Sequence, residues 1–252
     1  MTSCSSSEAP IIRCVAFDAV GTLIEAEPSV ADVYTDIGRR HGSRLNREHV
    51  LQRFVVAFEL CAESDRKKGA AGLLTSEERE WARWRWIVGE IFSEIDDVNV
   101  VGRIFEELFT HFGQPESWRC FRDVGAAVAT IEEFGLPMVI ASNFDHRLHG
   151  ICQGLIAVQR ARAVLVSSEV GWKKPAPEFY SALIAECGCR PDEVLMVGDD
   201  RVNDFEGARA SGLQAVLLDR SAENVDGNAA SSSIRPTVIG SLSDLGFWYS
   251  QD

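Results

Sequence analysis

The apolar positions of this chain follow two different patterns. Short, nearly unbroken apolar runs stand at 11–17, 137–141, 163–166, 193–197 and 214–218. Runs of that length, closed by Gly or small polar residues, read as strands buried on both faces, which suit a parallel sheet. Between them, 124–134, 145–155, 177–187 and 203–210 carry apolar residues at helical spacing. Strand and helix alternate, so the pattern predicts a doubly wound α/β core.

The stretch 28–115 departs from that alternation. Val30, Val33 and Ile37 share one helical face, and Gly42 can stop that helix. Asn46 is placed to cap a second helix, with Val50, Leu51, Phe54, Val55, Phe58 and Leu60 apolar, before Lys67–Gly72 breaks it. Thr75 with Glu78 reads as a capping box that opens a third helix to about residue 95. A fourth runs from about 98 to 112, and Gly113 and Pro115 close the block. No strand pattern occurs there. The expected organisation is a catalytic core of 11–27 and 116–252, a helical insert of 28–115 and a flexible, Ser-rich N-terminus of 1–10. A mobile loop is expected at 221–233, and a short closing segment at 237–248.

Composition narrows the function. The net charge of −13 argues against nucleic acid, whose binding needs a basic face, and weakly against anionic membranes. No apolar run approaches the roughly 18 residues that span a bilayer, and the first ten residues lack the basic start and apolar centre of a signal peptide. The seven cysteines are scattered, without a CxxC pair, and read as reduced thiols. A cytoplasmic monomer or homodimer acting on a small molecule is the expectation.

The predicted strand ends gather the chemistry. Asp18 and Thr22 follow the first strand, Ser142 and Asn143 the second, Lys174 lies in the loop after the third, and Asp199 and Asp204 follow the fourth. Ligands of open α/β sheets bind beyond the carboxyl ends of strands. Each residue alone has an ordinary explanation: a capping Asp, a Ser-Asn turn, a solvated Lys before Pro. Gathered together, the carboxylates repel one another and call for a cation. A few hard oxygens suit Mg²⁺. A metal and the Lys174 ammonium could then hold an anionic group against Asp18, a setting for nucleophilic attack by a carboxylate.

These residues carry a family resemblance. Asp18-Ala19-Val20-Gly21-Thr22 resembles the Asp-x-Asp-x-Thr motif of haloacid dehalogenase (HAD) superfamily hydrolases. Ser142 in Ala-Ser-Asn-Phe-Asp, Lys174 in Gly-Trp-Lys-Lys-Pro and Asp199 in Gly-Asp-Asp-Arg-Val-Asn-Asp resemble the second, third and fourth motifs, in order. The resemblance implies a Rossmann-like parallel-sheet core with an inserted α-helical cap. It implies that Asp18 is the nucleophile and that Asp18, the Val20 carbonyl and Asp199 hold Mg²⁺. Asp204 would support the metal or orient Lys174. Thr22, Ser142, Asn143 and Lys174 would bind the transferring group of a small phosphorylated substrate.

One position departs from the motif. Phosphatases of the family carry a second Asp, a general acid and base, where this chain has Val20. Such a group contributes roughly 10²–10⁴-fold. Two alternatives therefore stand beside a weakened phosphatase: a 2-haloacid dehalogenase-like enzyme with an ester on Asp18, and a catalytically feeble binding or regulatory protein. The acidic fourth motif favours the metal-dependent reading, since the family's dehalogenases use no metal. In the insert, Arg79, Trp81, Arg83, Trp84, Arg85 and Trp86 either pack and solvate that helix or place one side chain over the cleft; helical phase does not decide.

Overall fold

The computed structural model describes residues 11–221 and 236–249; the expected flexible N-terminus and all of the expected mobile loop except Ser221 lie outside them. The strands are β1 (Cys14–Phe17), β2 (Ile24–Ala26), β3 (Trp118–Cys120), β4 (Met138–Ser142), β5 (Ala163–Val166), β6 (Val194–Gly198), β7 (Gln214–Leu218) and β8 (Val238–Ile239). The helices are α1 (Val30–Arg40), α2 (Arg47–Lys67), α3 (Glu77–Ile91), α4 (Val98–His111), α5 (Val124–Glu133), α6 (Arg147–Gly154), α7 (Ser167–Val170), α8 (Pro177–Cys187), α9 (Gly207–Ala210) and α10 (Gly246–Tyr249).

Among the described residues the main sheet runs β5-β4-β1-β6-β7-β8, with every neighbouring pair parallel. The architecture is a Rossmann-like α/β core. Side chains of β1 alternate between two apolar layers. Val15 and Phe17 pack with Ile140, Leu195 and Val197 on one face, while Cys14 and Ala16 pack with Val139, Met196 and Phe179 on the other. That double burial is why the strands read as unbroken apolar runs. Phe17 pairs with Ile140 of β4 and Val197 of β6, so β1 lies central and its carboxyl end faces two neighbouring strand ends.

Helices α1–α4 bury a third cluster of their own, which includes Tyr34, Ile37, Val50, Ile87, Phe92, Ile104 and Phe105. Ser29 and Asn46 cap α1 and α2, each accepting a backbone N–H of the first turn. The third helix differs from expectation. Ser76, not Thr75, is its N-cap, accepting the Arg79 amide, while Thr75 donates its hydroxyl to Glu80 at 2.6 Å. The helix also ends at Ile91 rather than near 95, and beyond it Glu94 accepts hydrogen bonds from Ser43 and Arg53.

Three short strands, β2, β3 and β8, escaped the sequence pattern. β2 and β3 pair antiparallel, with Ile24 opposite Cys120 and Ala26 opposite Trp118. They tie together the two chain segments that flank the helical insert. Three residues per strand are too few to show a period. The predicted 203–210 helix is instead a π-turn over Arg201–Glu206 followed by α9, with the Asp200 carboxylate accepting the Val202 and Asn203 amides. Such wide turns are frequent at functional sites. No helix among the described residues is long and apolar enough to cross a membrane, and their six cysteines are free thiols.

Candidate active site

Asp18 is the first residue beyond β1. Its backbone N–H still donates to Val197 at 2.9 Å, which fixes it to the end of the sheet. Ser142 ends β4, and Asp199 follows β6. Asp18, Ser142, Lys174 and Asp204 are all buried; Asp199 faces solvent. Carboxylate oxygens of Asp18, Asp199 and Asp204 lie within 4.8 Å of one another. The residues singled out across 186 positions of sequence thus meet at one end of the sheet.

Lys174 is the centre of this cluster. Its ammonium donates to Asp18 Oδ1 at 2.7 Å, to Asp204 Oδ1 at 2.6 Å and to the Ala141 carbonyl at 2.8 Å. All three N–H donors are therefore satisfied. Burial alone would lower its pKa, but the Asp18 and Asp204 charges outweigh burial and hold it above the usual lysine range. Asp204 accepts Lys174 on one oxygen and the Asp200 amide on the other. Both of its oxygens are thereby engaged. Asp199 is placed differently: Thr22 donates to its Oδ1 at 2.8 Å. Surrounding protein withholds enough water to push its carboxyl above the usual range, and the Asp18 charge adds to that.

Lys174 thus pairs with Asp18 and Asp204, while Asp199 beside them has no ion pair among the described residues, and the deficit is positive charge. The donor set is hard oxygen, it faces solvent through Asp199, and it is crowded by a shortage of cation; these features fit Mg²⁺. Two glycines make the crowding possible. A Cβ on Gly21, whose φ is +90°, would lie 2.4 Å from Asp199 Oδ2, and one on Gly198 would lie 2.2 Å from Asp204 Oδ2.

Asn143 occupies a place the sequence did not suggest. Both ends of its amide are engaged with the Lys174 backbone, donating to the carbonyl at 3.0 Å and accepting the N–H at 2.8 Å. It positions the lysine loop. Ser142 is buried at the end of β4. Val20 is 39% exposed, in the turn where Ile24 and Leu23 return their amides to Ala19.

Arg220 was invisible in the sequence because it stands alone after β7. Its guanidinium grips Asp123 with two nitrogens, at 3.0 and 3.1 Å, and donates to the carbonyls of Gly21 and Thr22. It also lies 3.9 Å above the Phe121 ring. It thereby fixes the backbone that follows Asp18. Arg220→Ala should destabilise the fold by about 1–3 kcal/mol, the cost of leaving part-buried partners unpaired. Urea unfolding checks this, and a change within error of zero would contradict it.

The sequence profile of the haloacid dehalogenase-like hydrolase family matches residues 12–212. The human haloacid dehalogenase-like hydrolase domain-containing protein 3 is 29% identical over 209 residues, covering 82% of each chain. Among solved structures, the HAD-hydrolase YfnB of Bacillus subtilis, bound to magnesium, superposes with a TM-score of 0.70 at 14% identity, covering 95% of this chain and 99% of that one. A HAD phosphatase of Thermococcus onnurineus gives 0.58 at 20% identity, covering 93% and 96%. With the ordered motifs meeting on a parallel sheet and a family profile spanning most of its length, the chain belongs to the haloacid dehalogenase-like hydrolase family.

Proposed function

We propose that this protein is a Mg²⁺-dependent phosphohydrolase that cleaves a small phosphorylated molecule through an aspartyl-phosphate on Asp18, with α1–α4 as a cap over the core formed by 11–27 and 116–252. One observation carries the reading: a buried lysine bridges Asp18 and Asp204 while a third carboxylate, Asp199, stands within 4.8 Å and partly open to solvent.

Asp18, Asp199 and the Val20 carbonyl would hold the metal, which when bound supplies positive charge against a phosphoryl group. Lys174 contributes a second, fixed charge and keeps one Asp18 oxygen in place. The other Asp18 oxygen attacks phosphorus; an oxygen–phosphorus bond forms as the bond to the leaving oxygen breaks. Ser142 and Thr22, both buried, would bind and support the transferring group, Thr22 through the Asp199 carboxylate that it holds. Water then attacks phosphorus, returning the Asp18 carboxylate and releasing phosphate. Val20 has no proton to give, so the leaving oxygen departs as an anion or takes its proton from water.

That absence gives a test. Aryl and acyl phosphates, whose leaving groups are stable anions, should turn over roughly 10²-fold or more faster than alkyl phosphates, the lower bound of what a general acid provides. Initial rates with phenyl phosphate and glycerol phosphate, in Mg²⁺, make the comparison. Equal rates would show that another residue delivers the proton.

A further inference from the structure

Two lysines follow Trp172, and different parts of the chain hold them. Lys174 is held by the core: its ammonium meets Asp18, Asp204 and the Ala141 carbonyl, and Asn143 clamps its backbone. Lys173 is held by the helical insert. Its ammonium donates to Asp65 Oδ2, near the end of α2, at 2.6 Å, and its backbone N–H donates to the Leu73 carbonyl at 2.8 Å. Alongside, Leu74 forms an antiparallel bridge with Trp172, and the Thr75 N–H donates to the Gly171 carbonyl at 3.0 Å. The chain between α2 and α3 thus lies along 171–173, directly before the lysine of the site.

The contact between Asp65 and Lys173 is sheltered. The Lys173 side chain is 12% exposed and that of Asp65 25%. Fully exposed ion pairs contribute little, because water screens them. In a sheltered pair, removing one partner leaves the other charge poorly compensated. Arg83 of α3 donates to the same Asp65 oxygen at 2.9 Å. One carboxylate oxygen therefore joins α2, α3 and the segment before Lys174. Burial alone would raise the Asp65 carboxyl, but Lys173 and Arg83 outweigh it and hold it below the usual carboxylate range.

Lys174 has little latitude. Its three N–H donors meet three acceptors at 2.6–2.8 Å, so a small shift of its backbone lengthens or bends at least one of these bonds. Asn143 fixes that backbone from the core, and Lys173, joined to it by a planar peptide, fixes it from the insert. We propose that Asp65 is a positioning residue: from the insert it holds Lys173, and thereby keeps the Lys174 ammonium on Asp18. The effect on rate rests on the phosphohydrolase reading; the placement itself is measurable without turnover.

The test compares wild type with Asp65→Ala, Asp65→Glu, Lys173→Met and the double variant Asp65→Ala/Lys173→Met, with Arg83→Met as control. The readouts are kcat and KM for phenyl phosphate in Mg²⁺, melting temperature, and amide hydrogen exchange at Lys173 and Lys174. Asp65→Ala and Lys173→Met should each lower kcat about tenfold, as a slight misplacement of a charged group does, with KM little changed. The double variant should lose no more than either single one, because both break the same contact. Asp65→Glu should recover most of the loss. Arg83→Met leaves the Lys173 contact in place and should keep kcat near wild type. Exchange at both amides should rise about tenfold in Asp65→Ala and Lys173→Met, the worth of one hydrogen bond to a charged group. If Asp65→Ala does not fold, Lys173→Met carries the test. Folded variants with wild-type exchange and wild-type kcat overturn the proposal, as does a loss in Arg83→Met equal to that in Asp65→Ala. Faster exchange with an unmoved kcat overturns the positioning role and leaves Asp65 a structural contact. Faster exchange in a protein that hydrolyses no phosphoester overturns the phosphohydrolase reading and leaves the hold of Asp65 on the lysine segment standing.

Discussion

Asp18→Asn should abolish turnover, with a loss on the order of 10⁴–10⁶-fold, the range seen when a member of a nucleophilic catalytic set is removed. The amide has nearly the shape of the carboxylate, so the fold should persist. It also relieves repulsion among Asp18, Asp199 and Asp204, whose oxygens crowd within 4.8 Å. Lys174 keeps Asp204 and the Ala141 carbonyl as partners, so its burial remains supported. The variant should therefore melt close to wild type while losing chemistry. Rates on phenyl phosphate, paired with thermal unfolding of both proteins, separate the two effects. A folded Asp18→Asn protein within tenfold of wild type would show that Asp18 is not the nucleophile.

Val20→Asp should raise turnover of alkyl phosphates by roughly 10²–10⁴-fold, the contribution of a positioned acid and base. The motif otherwise stands complete, with Thr22 on Asp199 and Lys174 on Asp18. At 39% exposure, a carboxylate at position 20 stays hydrated, so the stability cost should be small. Aryl phosphates should gain much less, because their leaving groups need no proton. Rates on both substrate classes, before and after substitution, give the pattern. A folded variant with no gain on alkyl phosphates would mean that the site is not a phosphatase lacking one group, and a haloacid dehalogenase-like reading would then take its place.

Much of the core was legible because its strands are buried on both faces. That forces unbroken apolar runs and places each polar motif residue at a recognisable strand end. Asp18, Ser142, Lys174 and Asp199 could be read in this way, and they converge because the parallel sheet aligns the carboxyl ends of β1, β4 and β6. What the sequence concealed lies in contacts between distant, unremarkable residues. Arg220 follows a strand with no motif around it, yet it holds the carbonyls of Gly21 and Thr22. Asn143 stands in a motif, but its work on the Lys174 backbone depends on a loop 31 positions away. The β2–β3 pair is too short to carry a period. The Ser76 cap was missed because Thr75 beside it offers an equally good hydroxyl, and the choice between them is made by Glu80 holding Thr75.

The cluster of Asp18, Asp199 and Asp204, two of them paired with Lys174, is the centre of the account, and its claim is that a divalent cation belongs there. A crystal structure determined in Mg²⁺ tests it most directly. The expected result is octahedral density with ligand distances of about 2.1 Å to Asp18, Asp199 and the Val20 carbonyl, lost in Asp199→Ala. Crystals of the wild type soaked in Mg²⁺ that show water alone among Asp18, Asp199 and Val20 would contradict the account.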